Sequence, residues 1–329
     1  MMLQYILRRV FYMVPTLIVI SIISFAIIQL PPGDYLTTYV AELTTQGETV
    51  NQATLDQLKE RYGLGLPVYQ QYLRWVGNII TKGDFGQSFT WNRPVNELIW
   101  DRLFFTMLIT FLTVMFVWIV SLPIGVYSAV RQYSLGDYLA TFFGFLGLAT
   151  PDFLLGLVLM YIALKYFGQS VGGLFSPEYQ DAAWSLAKWR DFLNHLWIPI
   201  VILGTAGTAG LIRIMRANLL DELHKPYVTT ARAKGVPERT LIWRYPVRVA
   251  LNPFVSTVGW TLPSLVSGSI IVSVVLNLPT TGPLLLQALM QQDMYLAGSF
   301  ILIVSALTVI GTLISDILLA WLDPRIRFE

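Results

Sequence analysis

The sequence predicts an all-α integral membrane protein with six transmembrane helices. Of its 329 residues, 55% are hydrophobic and only 13% are charged, too few charges to coat a soluble body of this size. Six apolar runs of spanning length recur, at about 10–30, 103–130, 138–166, 193–218, 250–278 and 296–322. Lipid supplies no hydrogen-bond partner for backbone N–H and C=O groups, so runs of this kind must satisfy themselves as helices.

The first run follows Arg8 and Arg9, as the apolar part of a signal peptide would. It is long enough to span, however, and ends on PPGD (31–34), which is no small-residue cleavage site, so it is read as an uncleaved first helix. Residues 31–102 form an external segment. Within it Tyr69, Tyr72, Leu73, Val76 and Ile80 recur at helical spacing, which predicts a helix on the outer rim, either capping the first two spans or meeting a soluble partner. A second outer loop, 167–191, carries Trp184 and Trp189, residues that more often mark the headgroup belt than a ligand box.

An even number of spans places both termini on one side. With the termini inside, the inner segments hold 13 Lys and Arg, eight of them from Arg213 to Arg248, whereas nine are spread over the longer outer segments. The positive-inside rule then makes both ends cytosolic. The expected layout is a membrane helix at 1–30, an external segment at 31–102, a core at 103–322 and a cytosolic tail at 323–329.

Several chemistries are excluded. There is no Cys, hence no disulfide and no thiolate nucleophile or ligand. His195 and His224 would lie roughly 43 Å apart on one helix, too far to share a metal. No Gly-Lys pair occurs, so a phosphate-cradling GxxxxGK[ST] loop is absent, as are HExxH and GxSxG. A net charge of +2 gives no field for nucleic acid, and no cofactor motif is present. Two intramembrane acids are candidates for a translocation path: Asp152, just after Pro151 where a break would interrupt the third span, and Asp316 in the last span. Each has a structural reading beside that one, and a proton-relay reading under which the chain would be a stand-alone secondary transporter. In the fourth span Gly204, Gly207 and Gly210 leave room for a close helix approach, within the chain or to a partner.

The 25-residue stretch 224–248 is basic and far longer than a connection needs. Pro226 suits the first turn of a short helix, and Gly235 can take the left-handed conformation that ends one. Pro237 and Glu238 then begin a second piece through Leu241, Ile242 and Trp243, with the acid at the positive helix end. Small residues, Thr229, Thr230, Ala231 and Ala233, would let the first helix lie in a shallow cleft of another protein. The bland alternative is a juxtamembrane loop against anionic lipid.

YVTTARAKG (227–235) followed by a second short helix resembles the cytosolic coupling loop of bacterial ABC importer permeases, specifically the first permease of the dipeptide and oligopeptide family. Further motifs in the same order are LRRVFYMVPTLIVISIISFAIIQLPPGD (7–34), YGLGLPVYQQYLRW (62–75), GDFGQS (83–88), RPVNELI (93–99) and SDILLAWLDPRIR (315–327), so the likeness covers nearly the whole chain. The resemblance implies a five-helix, MetI-like permease core plus an extra N-terminal span, in the bacterial cytoplasmic membrane. It also implies a second permease subunit, two ABC ATPase subunits and an extracytoplasmic solute-binding protein as partners. Tyr227, Thr230, Ala231, Arg232, Ala233, Lys234 and Gly235 would then make the ATPase-coupling loop of a non-catalytic transport subunit. Two departures stand out: Thr229 occupies the place of the general motif's glutamate, and NLPTTGPLL (277–285) replaces a W-P-G-x-G turn, a variant that resembles members handling oligosaccharides.

Overall fold

The computed structural model of the protein describes residues 2–29, 66–88, 90–168, 172–180, 182–256 and 270–322. Among them the long elements are helices: α1 (Met2–Ile28), α2 (Val68–Lys82), α3 (Val95–Val130), α4 (Leu135–Ala149), α5 (Asp152–Phe167), α6 (Leu186–Leu223), α7 (Pro226–Ala233), α8 (Glu238–Arg244), α9 (Pro246–Ser256), α10 (Thr281–Met290) and α11 (Met294–Leu322). An isolated antiparallel bridge pairs Gln87 with Pro94.

Four described helices are long and apolar enough to cross a membrane, over Ile6–Ile28, Val95–Val130, Leu186–Leu223 and Met294–Ile317. The bent pair α4 and α5 makes a fifth when counted as one span. The sixth expected span, 250–278, begins in α9 and ends near helical residues 270–275, but 257–269 lie outside the described residues, as do 31–65 of the external segment and the tail 323–329. Helix α6 is 38 residues, about 57 Å at 1.5 Å per residue, and so overruns a hydrocarbon core of about 30 Å. Ser185 starts it, its hydroxyl accepting from the Lys188 N–H at 3.2 Å.

The chain bends between α4 and α5, where Pro151 falls. Proline has no N–H to continue the ladder and disfavours helical geometry in the residue before it. Thr150 is accordingly extended (ψ 122°), its hydroxyl donating to the Leu146 carbonyl at 2.8 Å, and α4 and α5 meet at 105°.

The chain divides into two compact units, one of Met1–Arg8, Phe105–Gly282 and Ile310–Glu329, the other of Arg9–Phe104 and Pro283–Val309. In the second unit Phe25, Ile28, Trp75, Val95, Ile99, Leu296 and Phe300 form one buried cluster. Helix α2 is anchored to it by Trp75, whose indole N–H donates to the Phe85 carbonyl at 3.3 Å, and by Tyr72, whose hydroxyl lies 2.7 Å from that of Ser21. The apolar face expected from spacing is therefore split: Tyr72 and Val76 pack inward, while Tyr69, Leu73 and Ile80 are exposed. Asp293, fully buried, accepts from the Ser88 hydroxyl and caps α11 by accepting from the Leu296 N–H at 3.2 Å.

The first unit has two buried clusters. One gathers Ile109, Phe175, Phe192, Leu196, Ile202 and Leu276. Beside it Lys188 is buried, with Nζ 4.9 Å from the Phe175 ring centroid and donating to the Gln180 and Ala182 carbonyls, and Trp184 stacks on Trp189 at 4.7 Å. Trp184 thus faces a lysine of its own chain, with Lys188 Nζ 5.3 Å from its ring centroid. The glycine stripe is divided. A Cβ on Gly204 would come within 2.6 Å of the Phe116 ring and one on Gly207 within 3.5 Å of Val117, whereas Gly210 has nothing within 4 Å. Internal packing uses the first two.

Candidate functional site

The other cluster of the first unit holds the loop 224–248. Lys225 is extended (ψ 146°) and Pro226 opens α7 without losing a hydrogen bond. The helix ends at Gly235, whose φ of +76° is the left-handed conformation expected there, and the Val236 N–H returns to the Ala231 carbonyl at 3.3 Å. Pro237 then starts α8.

Only one face of this pair is buried. Val228 and Ala231 of α7 and Leu241 and Ile242 of α8 pack with Val117 and Val126 of α3, Leu211, Met215 and Leu219 of α6, and Val247 and Ala250 of α9. Full burial contributes roughly 1.5–3 kcal/mol for each large aliphatic side chain, so the pair is seated firmly on the helices above it. Thr230, Arg232, Ala233, Lys234 and Gly235 are exposed. Ala231, expected among the contacts to another protein, instead belongs to the seat. The sequence carried the signal, since Val228 and Ala231 stand three residues apart on one helical face.

Two polar contacts stiffen the pair. Arg232 and Glu238 form a two-pronged ion pair across the turn, Nη2 to Oε1 at 2.6 Å and Nε to Oε2 at 3.1 Å, both side chains about half exposed. Hydrogen bonding to Arg232 holds the Glu238 carboxyl below its ordinary value. The Tyr227 hydroxyl donates to Glu222 at 2.6 Å; burial first, then that hydrogen bond and the Glu222 charge, raise its pKa above the ordinary 10.0, so the phenol stays protonated.

Asp152 lies half-buried in the first turn of α5, immediately beyond the bend, and Asp316 lies half-buried in α11 beside the buried Ser315. Neither histidine joins them. Each ring Nδ1 faces the carbonyl one turn back, His195 to Asp191 at 2.8 Å and His224 to Leu220 at 2.7 Å, and because a carbonyl only accepts, Nδ1 donates. Among the described residues no group of three His, Asp or Glu is placed to hold a metal.

One charged pair escaped the sequence reading. Arg216 of α6 donates from Nε and Nη2 to the two oxygens of Asp137, each at 2.9 Å, and the Tyr133 N–H donates to the same carboxylate at 2.9 Å. Asp137 is buried; Arg216 keeps 28% of its side chain exposed. The available signal was an arginine inside an apolar helix, which requires a partner, together with Ser134-x-x-Asp137, which has the spacing of a helix start.

The family model described as "Binding-protein-dependent transport system inner membrane component" matches residues 121–328, and its N-terminal companion, "Binding-prot-dependent transport system membrane comp, N-term", matches residues 2–110. The oligopeptide transport system permease protein AppB of Bacillus subtilis is 38% identical over 329 residues, covering 99% of this chain and 100% of its own. The dipeptide transport system permease protein DppB of Alkalihalophilus pseudofirmus is 30% identical, covering 99% and 100%. The glutathione transport system permease protein GsiC of Escherichia coli K12 is also 30% identical, with both chains covered in full. These relatives belong to importers that in general combine permease, ATPase and solute-binding components. The chain therefore belongs to the binding-protein-dependent transport family of inner-membrane permeases, the non-catalytic membrane subunits of ABC importers.

Proposed function

We propose that this chain forms half of the translocation pathway of an importer of short peptides and receives the work of ATP hydrolysis through α7 and α8. The observation that carries the reading is the two-faced helix pair: Val228, Ala231, Leu241 and Ile242 are held in the permease, while Thr230, Arg232, Ala233, Lys234 and Gly235 are offered outward. Small outward side chains let a backbone approach the wall of a cleft, and the basic Arg232 and Lys234 favour an acidic one. A helix pair fixed on one side and docked on the other passes displacement upward, and ATP drives the change by favouring one state of the assembly over the other. Asp152, at the bend of the third span, and Asp316 are the charged groups assigned to the path. Both termini are assigned to the cytosol, with 31–102 outside and a second permease completing the pathway. The peptide class rests on the relatives, which are named for oligopeptide, dipeptide and glutathione transport. Glutathione is itself a tripeptide; an oligosaccharide is the competing solute.

The test is co-expression with the partner permease, the ATPases and the binding protein, followed by reconstitution. Ala233→Trp, on the exposed face of α7, is expected to insert normally and to release the ATPases. Wild-type vesicles supplied with a labelled mixture of di- to pentapeptides are expected to accumulate label only with ATP inside. Uptake that follows a proton gradient and ignores ATP would sink the proposal.

A further inference from the structure

The Asp137–Arg216 pair joins the seat of the coupling loop to the bent third span. Arg216 follows Met215, which is fully buried in the same cluster as Val228, Ala231, Leu241 and Ile242, so this end of α6 and the helix pair below it form one packed body. Asp137 stands in the first turn of α4, where Ser134 caps the helix by accepting from the Asp137 N–H at 3.3 Å. Its carboxylate takes both prongs of the guanidinium and the Tyr133 N–H, the last from a residue whose φ of +62° marks a tight turn out of α3. From Asp137 the helix runs to Ala149, and the bend and Asp152 follow directly.

We propose that Asp137 and Arg216 are positioning residues that carry displacement of the coupling loop into α4, so that the bend at Thr150 and Pro151 moves with the loop. The inference rests on the coupling reading above. Its physical ground is directionality. Apolar helix surfaces can slide with little change in buried area, because the hydrophobic effect has no preferred direction. Two parallel hydrogen bonds between a planar guanidinium and a planar carboxylate fix distance and angle together and resist sliding. The far end of α4 is held close as well, since a Cβ on Gly147 would come within 2.8 Å of the Thr205 methyl group on α6. A helix pinned by a charged fork at one end and seated on its neighbour at the other behaves as a rod of roughly 22 Å, the length of 15 residues.

The experiment uses the complete reconstituted importer and the same labelled peptide mixture. Asp137→Asn and Arg216→Lys keep the shape of the site while weakening the fork. Each is expected to retain bound ATPases and to hydrolyse ATP at near the wild-type rate, with label taken up per ATP reduced about fivefold or more. The exchange Asp137→Arg with Arg216→Asp is expected to recover much of the loss. A purely stabilising pair would lower the yield of complex and leave uptake per ATP unchanged; that result, or an exchange no better than either single variant, overturns the proposal. A second measurement needs no weakened pair. The chain has no native Cys, so Leu139→Cys on α4 and Trp243→Cys on α8, both exposed, accept spin labels selectively. Their separation is expected to hold steady between nucleotide-free and ATP-bound importer, and a change of about 5 Å, one helical turn, overturns the proposal even where a variant fails to assemble. Ala233→Trp separates the two readings: ATPases that stay bound to it remove the coupling loop and the strut together. ATPases released by it, with uptake per ATP unchanged in Asp137→Asn, remove the strut alone.

Discussion

Leu241→Ala tests whether the helix pair is held by its buried face. Leu241 is fully buried among side chains from α3, α6, α7 and α9, so truncation removes three carbon atoms from a filled space. The transfer loss is about 0.8 kcal/mol per buried methylene-sized group, and the cavity left behind adds to it. Measured Leu→Ala losses at buried sites start near 2.7 kcal/mol, and about 3 kcal/mol is expected here because the helices on either side restrict collapse. The pair is a small unit on the edge of a larger body, and its local opening should feel the full loss. Amide exchange across residues 226–244, followed by mass spectrometry in detergent or nanodiscs, should accelerate about 150-fold at constant pH, the factor that 3 kcal/mol gives at 25 °C. Trp243→Ala, nearly half exposed on the same helix, should change exchange by less than about threefold. Equal effects from the two substitutions, or less than about fivefold from Leu241→Ala, would refute the assignment of the buried face as the anchor.

Asp137→Ala leaves the Arg216 guanidinium facing an empty site and should cost about 3 kcal/mol in detergent-unfolding measurements, the low end for a broken buried pair because Arg216 retains 28% exposure; a loss below about 1 kcal/mol would contradict the burial argument. Gly204→Ala should destabilise by about 1–3 kcal/mol by forcing the Phe116 ring aside. Gly210→Ala, with open space around it, should be neutral or gain up to about 1 kcal/mol from helix propensity, both read as shifts in thermal midpoint. The Arg232–Glu238 brace has a definite pH sense: because the Glu238 carboxyl is held below its ordinary 4.5, its stabilisation is present above that value and is lost as pH falls through the lowered one. Exchange at the Val236 amide, corrected for intrinsic rate, should therefore rise on acidification below 4.5, and Glu238→Gln should remove the dependence.

Punctuation residues were the most legible part of the chain. Pro226, Gly235 and Pro237 act through their own backbone geometry, so the two short helices and the turn between them could be read directly. Pro151 likewise announced the break in the third span, although its 105° angle depends on what each half packs against. Hydropathy located the four long helices but underestimated α6, because Lys188, Arg190 and Asp191 stop an apolar window without stopping the helix. Helix α2 was legible as a helix and misread as a face: spacing put one apolar stripe where packing buries Trp75 and leaves Tyr69 and Ile80 outside. Least legible was the Asp137–Arg216 pair. Either charge could be recognised as needing a counter-charge, but 79 residues separate them, and choosing the partner requires the register of α4 against α6.

The contact between Ser88 and Asp293 joins residues 205 positions apart in the chain. A polypeptide made from its N-terminus cannot close that clasp until Asp293 has been synthesised, so the Ser88 hydroxyl waits for the whole of 89–292 before it meets its acceptor. Both units draw on late sequence, Pro283–Val309 in one and Ile310–Glu329 in the other, so neither is complete until α11 has been made. Truncation anywhere before Asp293 leaves the Ser88 hydroxyl without its carboxylate acceptor.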